Sequence, residues 1–333
     1  MDPLTQGVFG AIAGQVPANK TTIAKASLVG ALSGMAPDLD VLIRSSTDSL
    51  LFLEFHRHFT HSLLFVPFGG GICGLFFFLL LGKRWQIPLR QFLLWSVLGF
   101  ATHGLLDSCT SYGTRLLWPL TGERFAWDMV SVIDPLFSGI LLTLMAAAIA
   151  LKKKIFTLLA VAWIGIYLSV AAIQHQRALN FGYELAKQRA HTVQRLQVKP
   201  SFGNIIVWKI VYESDQVFYV DAYKPGFFQS RHWAGESLPK LDIDRDFPWL
   251  DINDQQAKDI ERFREFSGDF LALDPNNRNR IGDVRYSQLP NDINPLWAIE
   301  LFPGADNQTH ARYVTDRSGS REALPKLVDM ILD

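Results

Sequence analysis

The chain has 333 residues, enough for two ordinary domains, and balances 32 Lys and Arg against 32 Asp and Glu, which excludes a global electrostatic attraction to nucleic acid. Its two cysteines, Cys73 inside one apolar run and Cys109 just past another, exclude a disulfide framework and a thiolate metal knuckle. Any metal must be held by His, Asp or Glu.

The opening Met1-Asp2-Pro3-Leu4-Thr5-Gln6 lacks the basic start and the small-residue cleavage site of a secretory signal, so the N-terminus is expected to stay on the mature protein. Two short segments, 4–16 and 23–36, are rich in Gly and Ala, which let helix backbones approach closely; they predict a helical hairpin packed among longer spans. Four stretches, 62–82, 90–107, 135–151 and 156–173, are close to the roughly 20 apolar residues that cross a bilayer core. The second is apolar except near its end, where His103 and Asp107 stand. Lys and Arg beside span ends favour the cytoplasm. One set of loops holds Lys20, Lys25, Lys83, Arg84, Arg90, Lys152, Lys153 and Lys154; the alternate set holds only Arg44, Arg57, Arg115 and Arg124. The expected orientation places the N-terminus, residues 37–61, the loop 108–132 and the C-terminal half on the periplasmic side of a bacterial inner membrane.

Beyond about residue 175 charged residues recur every few positions, which divides the chain into a membrane domain, 1–175, and a soluble domain, 176–333. A polar helical stretch covers 174–194, and the alternating patterns at 204–212 and 216–223 read as paired strands. Pro225-Gly226 marks a turn, 254–266 a helix, and 297–301 with 311–315 further strands. The expected fold is an all-α polytopic membrane domain, about four long spans plus the short N-terminal hairpin, followed by a small α+β soluble domain.

Four groups of chemistry-bearing residues fall at one membrane face in this orientation: Asp38 and Asp40; His56, His58 and His61; His103 and Asp107; and Asp128 with Asp134. His103 and Asp107 are four apart on a helix, so they share a face and can share an ion. Asp38 and Asp40, after helix-ending Pro37, can flank cations with oxygen, while His56 and His61 add imidazole nitrogen, which favours zinc or another transition metal. The mixture points to one or two divalent ions, zinc first. Paired cations suit phosphoester hydrolysis. Arg57, Arg115 and Arg124 on the same face suit a substrate phosphate, although arginines there also bind lipid head groups without chemistry.

Blander roles compete. His58 reads as a hydrogen-bonded interfacial residue, Asp128 as a loop residue, and Asp134 before Pro135, like Asp2 before Pro3, fits a helix N-cap at least as well as a ligand. His103 with Asp107 could be a buried hydrogen-bonded pair, but ionisable groups in spans are costly and usually functional. His175, His191, His232 and His310 lack matching carboxylates and read as surface residues.

The run His56-Arg57-His58-Phe59-Thr60-His61-Ser62, with Pro37-Asp38-Leu39-Asp40 before it and Thr102-His103-Gly104-Leu105-Leu106-Asp107 after it, resembles the bacterial YdjM-like family of membrane-bound metal-dependent hydrolases. The opening six residues, Thr110-Ser111-Tyr112-Gly113-Thr114-Arg115, Trp118-Pro119 and Ile133-Asp134-Pro135 are similar to a subgroup with a C-terminal extension. Through a distant relationship to zinc-dependent phospholipase C and P1-type nucleases, the resemblance implies phosphoesterase chemistry. It implies Asp38, Asp40, His56, His61, His103 and Asp107 as ligands, with Asp38, His61, His103 and Asp107 at the catalytic centre. Many relatives have His where this chain has Gln6, which leaves Gln6 to orient a ligand or water. A site at the bilayer surface suits a membrane lipid or lipid-linked substrate. Against this hydrolase stand a haem-binding or ion- and proton-conducting protein, with histidines as axial ligands or relays, and a C-terminal binding module anchored by the spans.

Overall fold

The structure is a computed structural model and describes residues 1–226 and 229–333. The chain divides into two compact units: Met1–Leu42, Phe55–Ala172 and Phe202–Asn204 in the first; Ile43–Glu54, Ile173–Ser201 and Ile205–Asp333 in the second.

The first unit is helical. Helix α1 (Pro3–Gln15) starts where Asp2 accepts from the Thr5 N–H, and α2 (Ile23–Met35) returns beside it. The close approach expected from their glycines is present. A Cβ at Gly10 would run into the Gly30 carbonyl, and one at Gly99 of α5 (Leu89–Ser108) would strike the same carbonyl from the other side. Three helices therefore cross at backbone distance. Helix α4 (Val66–Trp85) packs along α5, where a Cβ at Gly70 or Gly74 would press on the backbone of Val97 or Leu93. On α5 the buried residues Phe92, Trp95, Gly99, Phe100, His103, Leu106 and Asp107 recur at helical spacing, so His103 and Asp107 lie on the packed face.

Helix α6 (Pro135–Leu151) is capped by Asp134, whose Oδ1 accepts from the Phe137 N–H and whose Oδ2 accepts from the Tyr167 hydroxyl of α7 (Lys154–Gln188). Asp2 and Asp134 thus both serve as caps. A second polar tie lies at the far end, where the buried Gln15 amide donates to Ser27 and accepts from Thr157.

Two helical stretches are long and apolar enough to cross a membrane, Leu63–Trp85 and Lys154–Gln188. Helix α6 is apolar but has 17 residues, and α5 mixes its apolar residues with Arg90, Gln91, His103 and Asp107. On α4 the side chains of Phe68, Ile72, Phe76, Leu79 and Leu80 stand exposed, as expected of a lipid-facing surface. The span and the polar helix expected at 156–173 and 174–194 form one helix, because neither proline nor a paired glycine interrupts the run.

The second unit holds two four-stranded antiparallel sheets: β1 (Arg195–Pro200), β2 (Trp208–Ser214), β3 (Val217–Lys224) and β4 (Arg231–Pro239) in that order, then β5 (Leu271–Asp274), β6 (Asn277–Asp283), β7 (Trp297–Glu300) and β8 (Arg312–Thr315). Val211, Phe218 and Val220 from the first sheet share a core with Phe270, Ala272 and Val284 around the second. The C-terminal half is therefore a two-sheet β domain carrying a short α8 (Ile243–Asp246), α9 (Gln255–Ser267) and α10 (Ser320–Leu332), more strand-rich than the α+β expectation. The segment Ile43–Glu54, which includes most of α3 (Leu51–Phe55), belongs to this unit despite its distance in sequence.

Candidate metal centre

A run of 3-10 geometry, Ala36–Leu42, follows α2 and carries Asp38 and Asp40; a second short turn, Phe59–His61, carries His61. Pro37 has no N–H to continue α2, which turns the chain there. The turn bearing His61 lies against α5 at Gly104, where any Cβ would meet the His61 carbonyl. Glycine at 104 thus brings His61 onto the same helical turn as His103 and Asp107.

The Nε2 atoms of His61 and His103 face each other at 2.9 Å. Asp38 Oδ1 lies 3.3 Å from His103 Nε2 and 3.5 Å from His61 Nε2; Asp107 Oδ2 lies 3.4 Å from His61 Nε2 and 3.8 Å from His103 Nε2. A tetrahedral ion with bonds of about 2.0–2.1 Å sets its donors about 3.3 Å apart, so these four side chains match such a shell. Asp38, Asp40 and His56 form a second, overlapping group. The structure brings together all six residues that the sequence singles out as ligand candidates.

The tautomers follow from the outer bonds. His103 Nδ1 is 2.5 Å from the Gly34 carbonyl, which can only accept, so Nδ1 carries the hydrogen. Gly34 lies in the last turn of α2, where carbonyls lack helical partners. His61 Nδ1 is 2.9 Å from Thr60 Oγ1, which itself donates to Asp40 Oδ2 at 2.9 Å. With both imidazoles neutral, their Nε2 lone pairs point at one spot, a repulsive arrangement that a cation or a proton between them relieves. Histidines oriented in this way by carbonyls and carboxylates are the usual supports of metal ligands.

Charge agrees with geometry. Burial would raise the Asp38 and Asp40 carboxyls, yet the imidazoles of His103 and His61 beside Asp38, and of His56 and His61 beside Asp40, hold both well below the usual carboxylate range. Burial would lower the His61 imidazole, but the carboxylates of Asp107, Asp38 and Asp40 around it push it up to about 10, so that without a cation a proton is held between the two Nε2 atoms. The pocket demands positive charge. His61, His103 and Asp107 are buried, whereas the side chains of Asp38 and His56 are 23% and 30% exposed, so the site opens on their side.

Arg57 is buried, with Nε 3.0 Å from Asp107 Oδ2 and Nη1 donating to Thr110; its backbone adopts φ 63°. Arg115 donates to His58 Nε2 at 3.1 Å, and Arg124 donates to the Gly113 carbonyl at 3.3 Å. His58 thus belongs with Arg115 and the Trp118 ring. Asp128 sits at φ 51° in the loop. The Gln6 amide donates to Asp107 Oδ1 at 2.8 Å, and the Met1 amino group also bonds that oxygen. Thr60 and the Gly34 carbonyl are supports that motif reading missed. Thr60 was visible as the hydroxyl beside His61; a backbone carbonyl leaves no trace in side-chain patterns.

Among the second unit's histidines, His232 and His310 are not simple surface residues. They bond the buried carboxylates of Asp221 and Asp259 at 2.9 Å each.

The chain matches the YdjM inner membrane protein family over residues 1–178. It is 33% identical over 108 residues to the inner membrane protein YbcI of Escherichia coli strain K12, covering 31% of this chain and 60% of that one. It is 28% identical over 145 residues to the uncharacterized protein YfhP of Bacillus subtilis strain 168, covering 40% and 42%. The chain thus spans about half the length of the curated relatives it matches. No solved structure matches it. With more than half its length matched, through both aspartates, the histidine run and the His103–Asp107 turn, this chain belongs to the YdjM inner membrane protein family.

Proposed function

We propose that the protein is a metal-dependent hydrolase of the bacterial inner membrane, a phosphoesterase that acts at the periplasmic face on a lipid-linked or membrane-near substrate. The observation that carries the reading is the convergence of His61 Nε2, His103 Nε2, Asp38 Oδ1 and Asp107 Oδ2 at tetrahedral spacing, with both imidazole lone pairs aimed inward. Asp38, His61, His103 and Asp107 would hold one ion, zinc by this nitrogen and oxygen set, and Asp38 with Asp40 and His56 a second. A divalent ion supplies Lewis acidity to a phosphoryl oxygen and brings the pKa of a water toward neutrality.

The protein's own groups divide the remaining work. Arg57 pairs with Asp107 and holds its carboxylate in place, while Thr60 and the Gly34 carbonyl fix the two imidazoles. His56 has an exposed edge beside Asp40, which places its imidazole at the open side of the site. Arg115 and Arg124, on the loop 108–132, supply positive charge for a phosphate. Helices α4 to α7 serve as four spans in this reading, α5 ending in the site at the periplasmic surface.

Elemental analysis of the detergent-purified chain tests the proposal. One or two equivalents of metal are expected in the wild type, background levels in His103→Ala and Asp107→Ala, and phosphoester hydrolysis only where metal is bound. Wild-type metal content in both variants would sink the assignment, and a Soret band in the purified protein would replace it with haem ligation.

A further inference from the structure

Two of the ligand-bearing segments, the aspartates at 38 and 40 and the histidines at 56 and 61, are joined by Ile43–Glu54, and that joining segment is held by the C-terminal unit. Arg262 of α9 is the centre of the hold. Its Nη1 and Nη2 bind the two Asp48 carboxylate oxygens at 3.1 and 2.8 Å, its Nε bonds Glu54, and Nη1 also bonds Asp259 at 2.7 Å. One rigid guanidinium fork thereby grips both ends of α3's approach. Ser49 adds backbone ties, donating to the Ala311 carbonyl at 3.0 Å and accepting from the Tyr313 N–H at 2.8 Å. Phe52 packs edge-on against the Tyr313 ring at 5.2 Å, and Leu50 and Leu53 are buried.

We infer that Arg262 is a positioning residue for the metal centre: the C-terminal unit clamps Ile43–Glu54 and so pre-sets the ligand segments on either side of it. The inference rests on the metal reading above. Ile43 is three residues past Asp40 and Glu54 two before His56, so at about 3.5 Å per residue the chain allows little slack between the clamp and either ligand. An unclamped segment must be ordered when the ion binds, and that entropy is subtracted from the affinity. Clamped, the ligands wait close to their final positions.

The test uses the full chain in detergent and two probes, Zn2+ in competition with a chromophoric chelator and Co2+ read by its visible ligand-field bands. Arg262→Ala should fold, by circular dichroism, yet bind Zn2+ about ten- to a hundred-fold more weakly, with altered Co2+ bands. Arg262→Lys, which keeps the charge without the fork, should fall between. If Arg262→Ala does not fold, Ser49→Ala removes the backbone ties more gently and should weaken Zn2+ by a smaller factor in the same direction. A folded variant with wild-type affinity and an unchanged Co2+ spectrum overturns the clamp while leaving the metal site standing. A wild type that binds neither ion overturns the metal reading itself, and the clamp with it.

Discussion

Lys209 enters the middle of the C-terminal unit from β2, a strand buried along its whole length, and its ammonium meets Ser287 Oγ at 2.7 Å and the Asp292 carbonyl at 2.6 Å. Burial outweighs the nearby carboxylates of Asp292 and Asp283 and brings its pKa from 10.5 down to about 7. The unfolded chain keeps this proton to about pH 10.5, whereas the folded chain releases it near 7. Stability therefore climbs from pH 7 toward 10.5, and the gain is absent below 7. Urea unfolding of the full chain, followed by tryptophan fluorescence at pH 7 to 9, should show that climb, and Lys209→Met should flatten it. An equal climb in the variant rejects the assignment. Among individual residues, the sequence made the six ligand candidates legible because each is a side chain of diagnostic chemistry in a short motif. It did not disclose Lys209, whose partners lie about 80 residues away, nor that Arg57 turns its guanidinium onto Asp107.

Helix pairs in the first unit depend on glycines that meet as backbone. Replacing Gly99 by Val would force α5 away from the Gly30 carbonyl, one turn before His103. Overpacking of this kind costs about 1–3 kcal/mol, so thermal denaturation in detergent should shift downward and bound metal should fall with it. Gly139→Val is the control, since open space surrounds that position and no shift is expected. Apolar runs gave α1, α2, α4, α5 and α6 to within a few residues, alternation gave β2 and β3, and the further strands expected at 297–301 and 311–315 are β7 and β8. Other elements escaped for identifiable reasons. Strand β4 is an edge with mostly exposed residues and lacks a clean apolar alternation. Helix α10 contains Pro325, which breaks the expected pattern, and β5 is only four residues long. In β2 the alternation blurs because Lys209 and Glu213 are buried too, Glu213 against Arg195 and Lys240.

For the molecule as a whole, the orientation proposed above makes Lys153 cytoplasmic and Glu123 periplasmic. In a background with Cys73 and Cys109 replaced by Ala, Glu123→Cys should react with a membrane-impermeant thiol reagent in intact cells, and Lys153→Cys only after permeabilisation. The reverse pattern would invert the protein and move the site to the cytoplasm. Composition changes near residue 175, and the structure divides α7 between its two units at Ala172 and Ile173. Residues 43–54 gave no such warning. Their partners stand more than 200 positions downstream. The family match covers residues 1–178, and Arg262, Ala311 and Tyr313 lie past it. A role carried over from relatives through that match thus arrives without the residues to which the inference above assigns the bracing of the ligand loop.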